Sequence, residues 1–229
     1  MKPFKKIFWV FIFIAVLFTV GSFFNIDVLT TVANYLLVPV LVLYYRYRAK
    51  KWFLLMVIAL FMFYMRDIFL FNGGYREYSN LVMITFFSGL VVIYGFAISG
   101  FQRAKVHVVE WISLFIMYGF LGFLFYSIAD LVPQVMPSYQ EITFLHLFLL
   151  TFLLAITFTE YLLKSHYASL WLMLASASLL VSEMSLFFKM YIIDDISVKI
   201  FFPLFHVIAY YAFIEHALHR RPSAKIPYF

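Results

Sequence analysis

The sequence predicts an all-α fold, a polytopic membrane helical bundle with about eight transmembrane helices. Hydrophobic residues make up 66% of the 229 residues and charged residues only 12%, which leaves too little polar surface for a soluble domain. The apolar residues fall in blocks of roughly 18–25, each long enough to cross a ~30 Å hydrocarbon layer as a helix. The sequence does not show the alternation of a membrane β-barrel strand. One membrane domain over 1–229 is therefore expected.

Short breaks rich in charged, polar, glycine and proline residues separate the apolar blocks. They lie at 25–27, 46–51, 72–74, 103–107, 133–137, 164–166 and 194–195. The predicted spans are 7–24, 28–45, 52–71, 79–101, 107–131, 140–163, 168–191 and 197–218, followed by a short basic tail at 219–229.

The distribution of charge among the breaks predicts the orientation. Basic residues lie at the start of the chain, at 46–51, at 103–107, at Lys164 and in the tail, whereas the intervening breaks are mainly acidic. The positive-inside rule then places both termini on the cytoplasmic side. We expect an integral protein of the bacterial cytoplasmic membrane. Because this rule accounts for the net charge of +6, nucleic acid is not an expected partner.

Missing residue types exclude several kinds of chemistry. The chain has no cysteine, which rules out a disulfide framework, a thiol nucleophile and thiolate metal sites. His216 and His219 have a metal-ligand spacing but lie at the predicted cytoplasmic rim, so no metal is expected. The sequence contains no GxSxG, HExxH or P-loop motif. No cofactor is predicted.

Two carboxylates lie deep in predicted spans, where an ionisable side chain is costly and points to function. Asp67 is in the third span beside Arg66, and Glu183 is in the seventh span after Ser182. Both fall in the outer half of the membrane, so they can face each other across a cavity. Such a pair can serve as acid and base. The alternative is an ion pair that only locks the helices together.

Two histidines also lie at membrane depth, His146 in the sixth span and His206 in the eighth. His206 and Tyr210 are four residues apart and therefore share one helix face. These side chains are candidates for binding substrate. A hydrogen-bonded packing role is the alternative for a lone histidine inside a membrane.

A shift of the chain by four spans aligns its two halves weakly. It places Asp67 on Glu183 and Tyr94 on Tyr210. Because four is an even number, the halves would have the same orientation, as in a parallel 4+4 repeat.

Other polar and aromatic residues have simpler expected roles. Glu110, Glu160 and Glu215 lie near cytoplasmic ends, where we expect them to reach the interface or pair with Lys and Arg. Tyrosines near span ends, such as Tyr44 and Tyr45, are expected to anchor the helices at the interface.

Three short segments resemble the YhhN-like, lysoplasmalogenase-type membrane proteins, which have eight helices and a similar length. That family has a Gly-Asp-hydrophobic motif in its third helix, a Ser-Asp motif in its seventh and a tyrosine-rich eighth. The counterparts here are MRDIFL at 65–70, Ser182-Glu183, and FHVIAYY at 205–211. Arg66 replaces the family glycine, Glu183 replaces its aspartate, and Val91 replaces a histidine of the fourth helix.

The resemblance implies hydrolysis of the vinyl ether bond of lysoplasmalogens, with a membrane lipid or lysophospholipid as the partner. Asp67 and Glu183 are the implied catalytic acid and base. The predicted substrate-binding residues are Arg66, Tyr94, His146, Ser182, His206 and Tyr210. A transporter or a non-catalytic lipid-binding protein that uses the same carboxylates is the alternative.

Overall fold

The computed structural model describes residues 3–49, 52–77, 79–100, 107–135, 140–164, 166–193 and 195–220. The described chain forms nine helices and no strand, which confirms the all-α prediction. They are α1 (Pro3–Phe23), α2 (Asp27–Arg48), α3 (Leu54–Glu77), α4 (Ser79–Gly100), α5 (Val108–Ala129), α6 (Val132–Val135), α7 (Gln140–Lys164), α8 (Tyr167–Tyr191) and α9 (Ile196–His219).

The eight long helices match the eight predicted spans in order. Each is long and apolar enough to cross a membrane, which fits an integral membrane protein. The seventh and eighth spans are α8 and α9, because α6 is a short extra helix. The choice of membrane and the side of the termini stay predictions. Most of the predicted tail at 219–229 lies outside the described residues.

The predicted break at 72–74 is wrong, because α3 continues through it to Glu77. Two further helix boundaries differ from the prediction at proline. The segment at 133–137 was expected to be a loop, but α6 covers Val132–Val135 and contains Pro133. α1 begins at Pro3, four residues before the predicted start. A proline is tolerated in the first turn of a helix because its missing N–H would have no intrahelical partner there.

α9 lies at the centre of the bundle. It packs along α8 and also contacts α1, α2 and α3, while α7 contacts α4, α5 and α8. α5 is the least buried of the eight spans and forms the periphery beside α7. The side chains of α3, α7, α8 and α9 therefore meet in the interior.

A proline inside α9 is accommodated by a neighbouring helix. Pro203 has no N–H to donate to the carbonyl of Lys199, one turn earlier. The Ser22 hydroxyl of α1 donates to that carbonyl at 3.0 Å, and Lys189 of α8 donates to the Ser22 oxygen at 3.3 Å. The Lys199 carbonyl thus finds a hydrogen-bond donor inside the protein, as an apolar environment requires.

The expected interfacial role is wrong for Tyr44 and Tyr45, which are buried. Tyr44 donates to Glu215 at 3.1 Å, and the Tyr45 oxygen accepts from the Phe53 N–H at 2.9 Å. Both rings face neighbouring segments, so each hydroxyl finds its partner inside the bundle. The position of Tyr44 and Tyr45 near a span end did not show that their side chains point into the bundle.

Candidate functional site

The two deep carboxylates are held by one guanidinium group. Arg66 Nη1 donates to Asp67 Oδ1 at 2.9 Å, and Arg66 Nη2 donates to Glu183 Oε2 at 2.5 Å. The three residues are only 2%, 1% and 4% exposed, respectively. Asp67 and Glu183 therefore meet through Arg66 as the ion-paired group of the alternative interpretation, and they do not face each other across the cleft that Glu183 lines. Together with His146, His206 and Tyr210, these residues are called the Arg66 cluster.

Asp67 is enclosed by α9. The Tyr210 hydroxyl donates to Asp67 Oδ2 at 2.6 Å, and His206 Nε2 lies 3.1 Å from the same oxygen. Both α9 residues are 1% exposed, and their spacing of four places them on one helix face as predicted. Since Arg66 occupies the other carboxylate oxygen, both oxygens of Asp67 are engaged by buried partners.

Glu183 is engaged through one oxygen. Its Oε2 accepts from Arg66 and lies 3.5 Å from His146 Nε2 on α7. Its Oε1 is buried and has no hydrogen-bond partner among the described residues, and the same holds for His146 Nε2. Within the cluster, Glu183 Oε1 and His146 Nε2 are therefore free to form a further hydrogen bond.

A cleft beside the Arg66 cluster is lined in part by Glu183 and His146. The peripheral helices α5 and α6 form one wall, and α7 and α8 form the other. Most of the lining is apolar, including Leu147, Met184 and Phe187. Asp67 is not among the lining residues. A molecule in the cleft thus meets Glu183 and His146, while Asp67 lies behind Arg66.

Aromatic rings support the cluster from α3 and α4. The Arg66 guanidinium carbon lies 5.4 Å from the centre of the Phe86 ring, a cation–π contact. The Phe86 ring packs at 4.5 Å from the ring of His146, and Phe63 stacks on Tyr210 at 6.2 Å. Sequence reasoning did not identify Phe63 or Phe86, because nothing distinguishes them among 31 phenylalanines.

Two predicted substrate-binding residues lie outside the cluster. The Tyr94 hydroxyl donates to the Leu149 carbonyl of α7, and Ser182 donates to the Phe202 carbonyl of α9 at 3.1 Å. Ser182 adjoins Glu183 in sequence but faces a different direction, because successive helix residues differ by about 100°. Both side chains therefore link neighbouring helices. The 4+4 repeat, which aligned Tyr94 with Tyr210, stays a prediction.

Glu160 and Glu215 have the basic partners expected of them near the predicted cytoplasmic end, whereas Glu110 caps a helix instead of pairing with Lys or Arg among the described residues. Glu160 lies 3.2 Å from Lys164, and Glu215 forms an ion pair with Arg48. Glu110 accepts from the His107 N–H at 2.8 Å and so caps α5. Glu215 also contacts Tyr44 and lies 3.4 Å from His219. We call Arg48, Tyr44, Glu215 and His219 the basic-end cluster.

The donor set of the Arg66 cluster favours proton chemistry. No group of three or more His, Asp and Glu side chains in the described ranges is arranged to hold a metal ion. Glu183 and His146, both of which can carry or accept a proton, line the same cleft. Comparison of the chain with protein-family models, curated proteins and solved structures finds no match.

Proposed function

We propose that this protein is a membrane-embedded hydrolase that cleaves the vinyl ether bond of a lysophospholipid, as the lysoplasmalogenase-type proteins it resembles do. The observation that carries the proposal is the mostly apolar cleft that Glu183 lines. Apolar walls suit a single hydrocarbon chain, and a carboxyl group in the lining suits acid–base chemistry on that chain. The peripheral position of α5 supports entry of the lipid from the side of the bundle.

The proposed reaction begins with proton transfer to the vinyl carbon farther from the ether oxygen. The π electrons of the double bond form the new C–H bond, which leaves an oxocarbenium ion. Water adds to the carbon bonded to oxygen and loses a proton to a base. The hydroxyl of the resulting hemiacetal then loses its proton to form the aldehyde C=O while the bond to the glycerol oxygen breaks, and that oxygen gains a proton. The products are a fatty aldehyde and a glycerophospho-alcohol, with one water consumed and no net change in protons.

Glu183 is the proposed acid and then the proposed base, because its Oε1 has no partner among the described residues and the residue lines the cleft. A carboxylate beside the oxocarbenium ion also stabilises its positive charge, as in glycoside hydrolysis. Arg66 holds the other oxygen of Glu183. Asp67, which is fixed by Tyr210 and His206, is a positioning residue that keeps Arg66 in place.

The test is aldehyde release from a vinyl-ether lysophospholipid by the purified full chain in lipid nanodiscs. Glu183→Gln is expected to lower the rate at least about 100-fold, because it removes the acid–base group. Glu160→Gln is the matched control, since Glu160 is also a buried membrane glutamate but pairs with Lys164 outside the cluster. It should keep the wild-type rate. An alkyl-ether analogue should release no aldehyde.

Absence of aldehyde with folded wild-type protein would reject the hydrolase. So would a Glu183→Gln variant that is as active as wild type. The second candidate is a proton-linked carrier or a non-catalytic lipid-binding protein. It is favoured by the enclosure of Asp67, which leaves only one of the two predicted acid–base residues open to the cleft. Saturable binding of the intact lysophospholipid without cleavage would support it.

A further inference from the structure

The Arg66 cluster has one carboxylate more than its single cation can balance. The charged and titratable groups that meet there are Arg66 and Asp67 from α3, His146 from α7, Glu183 from α8, and His206 and Tyr210 from α9. With both carboxyls ionised and both histidines neutral, the sum is one negative charge. Because an unbalanced charge in an apolar interior is costly, one bound proton stabilises the cluster.

The hydrogen-bond partners indicate where this proton is held. Glu183 Oε1 and His146 Nε2 are both buried and lack a partner in the described part of the chain. His146 Nε2 lies 3.5 Å from Glu183 Oε2, the oxygen that also accepts from Arg66. A Glu183 carboxyl group that is protonated on Oε1 and turned towards His146 can donate to Nε2. One proton then provides a hydrogen bond for both side chains.

The other histidine is a poorer site for the proton. His206 Nε2 lies beside Asp67 Oδ2, which also accepts from Tyr210, so Nε2 carries the hydrogen that it donates. A second proton on Nδ1 would create a buried donor, and Nδ1 has no hydrogen-bond partner among the described residues. Such a donor is costly.

We propose that the Arg66 cluster holds one exchangeable proton, shared between Glu183 and His146. Both residues line the cleft, whereas Arg66 and Asp67 do not, so the proton exchanges with the contents of the cleft. The proposal concerns the protein without substrate and holds whether or not the lipid is hydrolysed.

The test is infrared spectroscopy of the full chain in lipid nanodiscs at neutral pH, read at the C=O stretch of a protonated carboxyl group. Wild type should show this band, and isotope-labelled glutamate should shift it while isotope-labelled aspartate should not. Glu183→Gln should abolish the band. Glu160→Gln should retain it, which separates the signal of Glu183 from that of another buried glutamate.

Two further variants test the charge balance and the acceptor. Asp67→Asn should also abolish the band, because Arg66 and an ionised Glu183 then balance each other. His146→Phe should retain the band but move it to higher wavenumber, because the carboxyl hydroxyl loses its acceptor. A wild-type spectrum without a glutamate-derived band would overturn the proposal without any variant. A band that persists in folded Asp67→Asn or Glu183→Gln would overturn it as well.

Discussion

Two arginine–carboxylate clusters in the same bundle differ in burial and in charge. In the Arg66 cluster, one arginine that is 2% exposed meets two carboxylates, Asp67 and Glu183. In the basic-end cluster, Arg48 pairs with Glu215 alone, and a third of the Arg48 side chain is exposed. Both link distant helices, since Arg66 joins α3 to α8 and Arg48 joins α2 to α9.

The difference separates an ion pair that is balanced in charge from a cluster that is not. Arg48 and Glu215 balance in charge, and the exposed part of Arg48 keeps contact with its polar surroundings, so the pair suits snorkelling and helix packing. The Arg66 cluster has excess negative charge and an unpartnered carboxylate oxygen next to a cleft. A buried carboxylate that lacks a balancing charge and a hydrogen-bond partner for one oxygen is a candidate for function, because helix packing alone does not explain its presence.

The largest effect on stability is expected for Arg66→Gln. It leaves two buried carboxylates without their cation, which should lower the free energy of unfolding by about 3–5 kcal/mol. Thermal or denaturant unfolding in detergent micelles, followed by circular dichroism, measures it. The double variant Arg66→Gln/Glu183→Gln should recover part of the loss, since it removes one of the two charges. A double variant less stable than the single one would contradict this account.

A smaller loss, about 1.5–3 kcal/mol, is expected for Arg48→Gln, from the hydrogen bonds to a charged group. Glu215 keeps Tyr44 and His219 as neighbours, and its ion pair was already partly screened. The same unfolding measurement applies. If this variant were destabilised as much as Arg66→Gln, the distinction between the two clusters would fail.

The smallest effect, about 0.5–1.5 kcal/mol, is expected for Tyr44→Phe, because its hydroxyl loses hydrogen bonds to Glu215 and Arg48 but leaves neither charge without a partner. The ring remains packed, and Glu215 keeps its ion pair with Arg48. Tyr210→Phe is the matched variant, because its hydroxyl donates to Asp67 in the cluster that has excess negative charge. It should cost more than Tyr44→Phe when both are unfolded under the same conditions. The reverse order would show that the excess negative charge of the Arg66 cluster does not strengthen its hydrogen bonds.

Much of the fold follows from composition, but the direction of each side chain does not. The lengths of the apolar blocks predicted the eight long helices, and the spacing of His206 and Tyr210 predicted their common face. In contrast, α6 was missed because proline was read as a loop residue. The directions of Tyr44 and Ser182 depend on the rotation of each helix about its axis. When nearly every residue is apolar, the sequence pattern does not specify that rotation.

The sequence by itself determined an eight-span helical membrane bundle with two carboxylates at membrane depth. It did so because hydrocarbon thickness sets the length of a span and makes any deep charge conspicuous. Only the tertiary structure decided that Asp67 and Glu183 share Arg66, and that Glu183 alone of the two lines the cleft. Those relations join residues 117 positions apart. They arise from the packing of α3 against α9 and of α7 against α8, which no local pattern encodes.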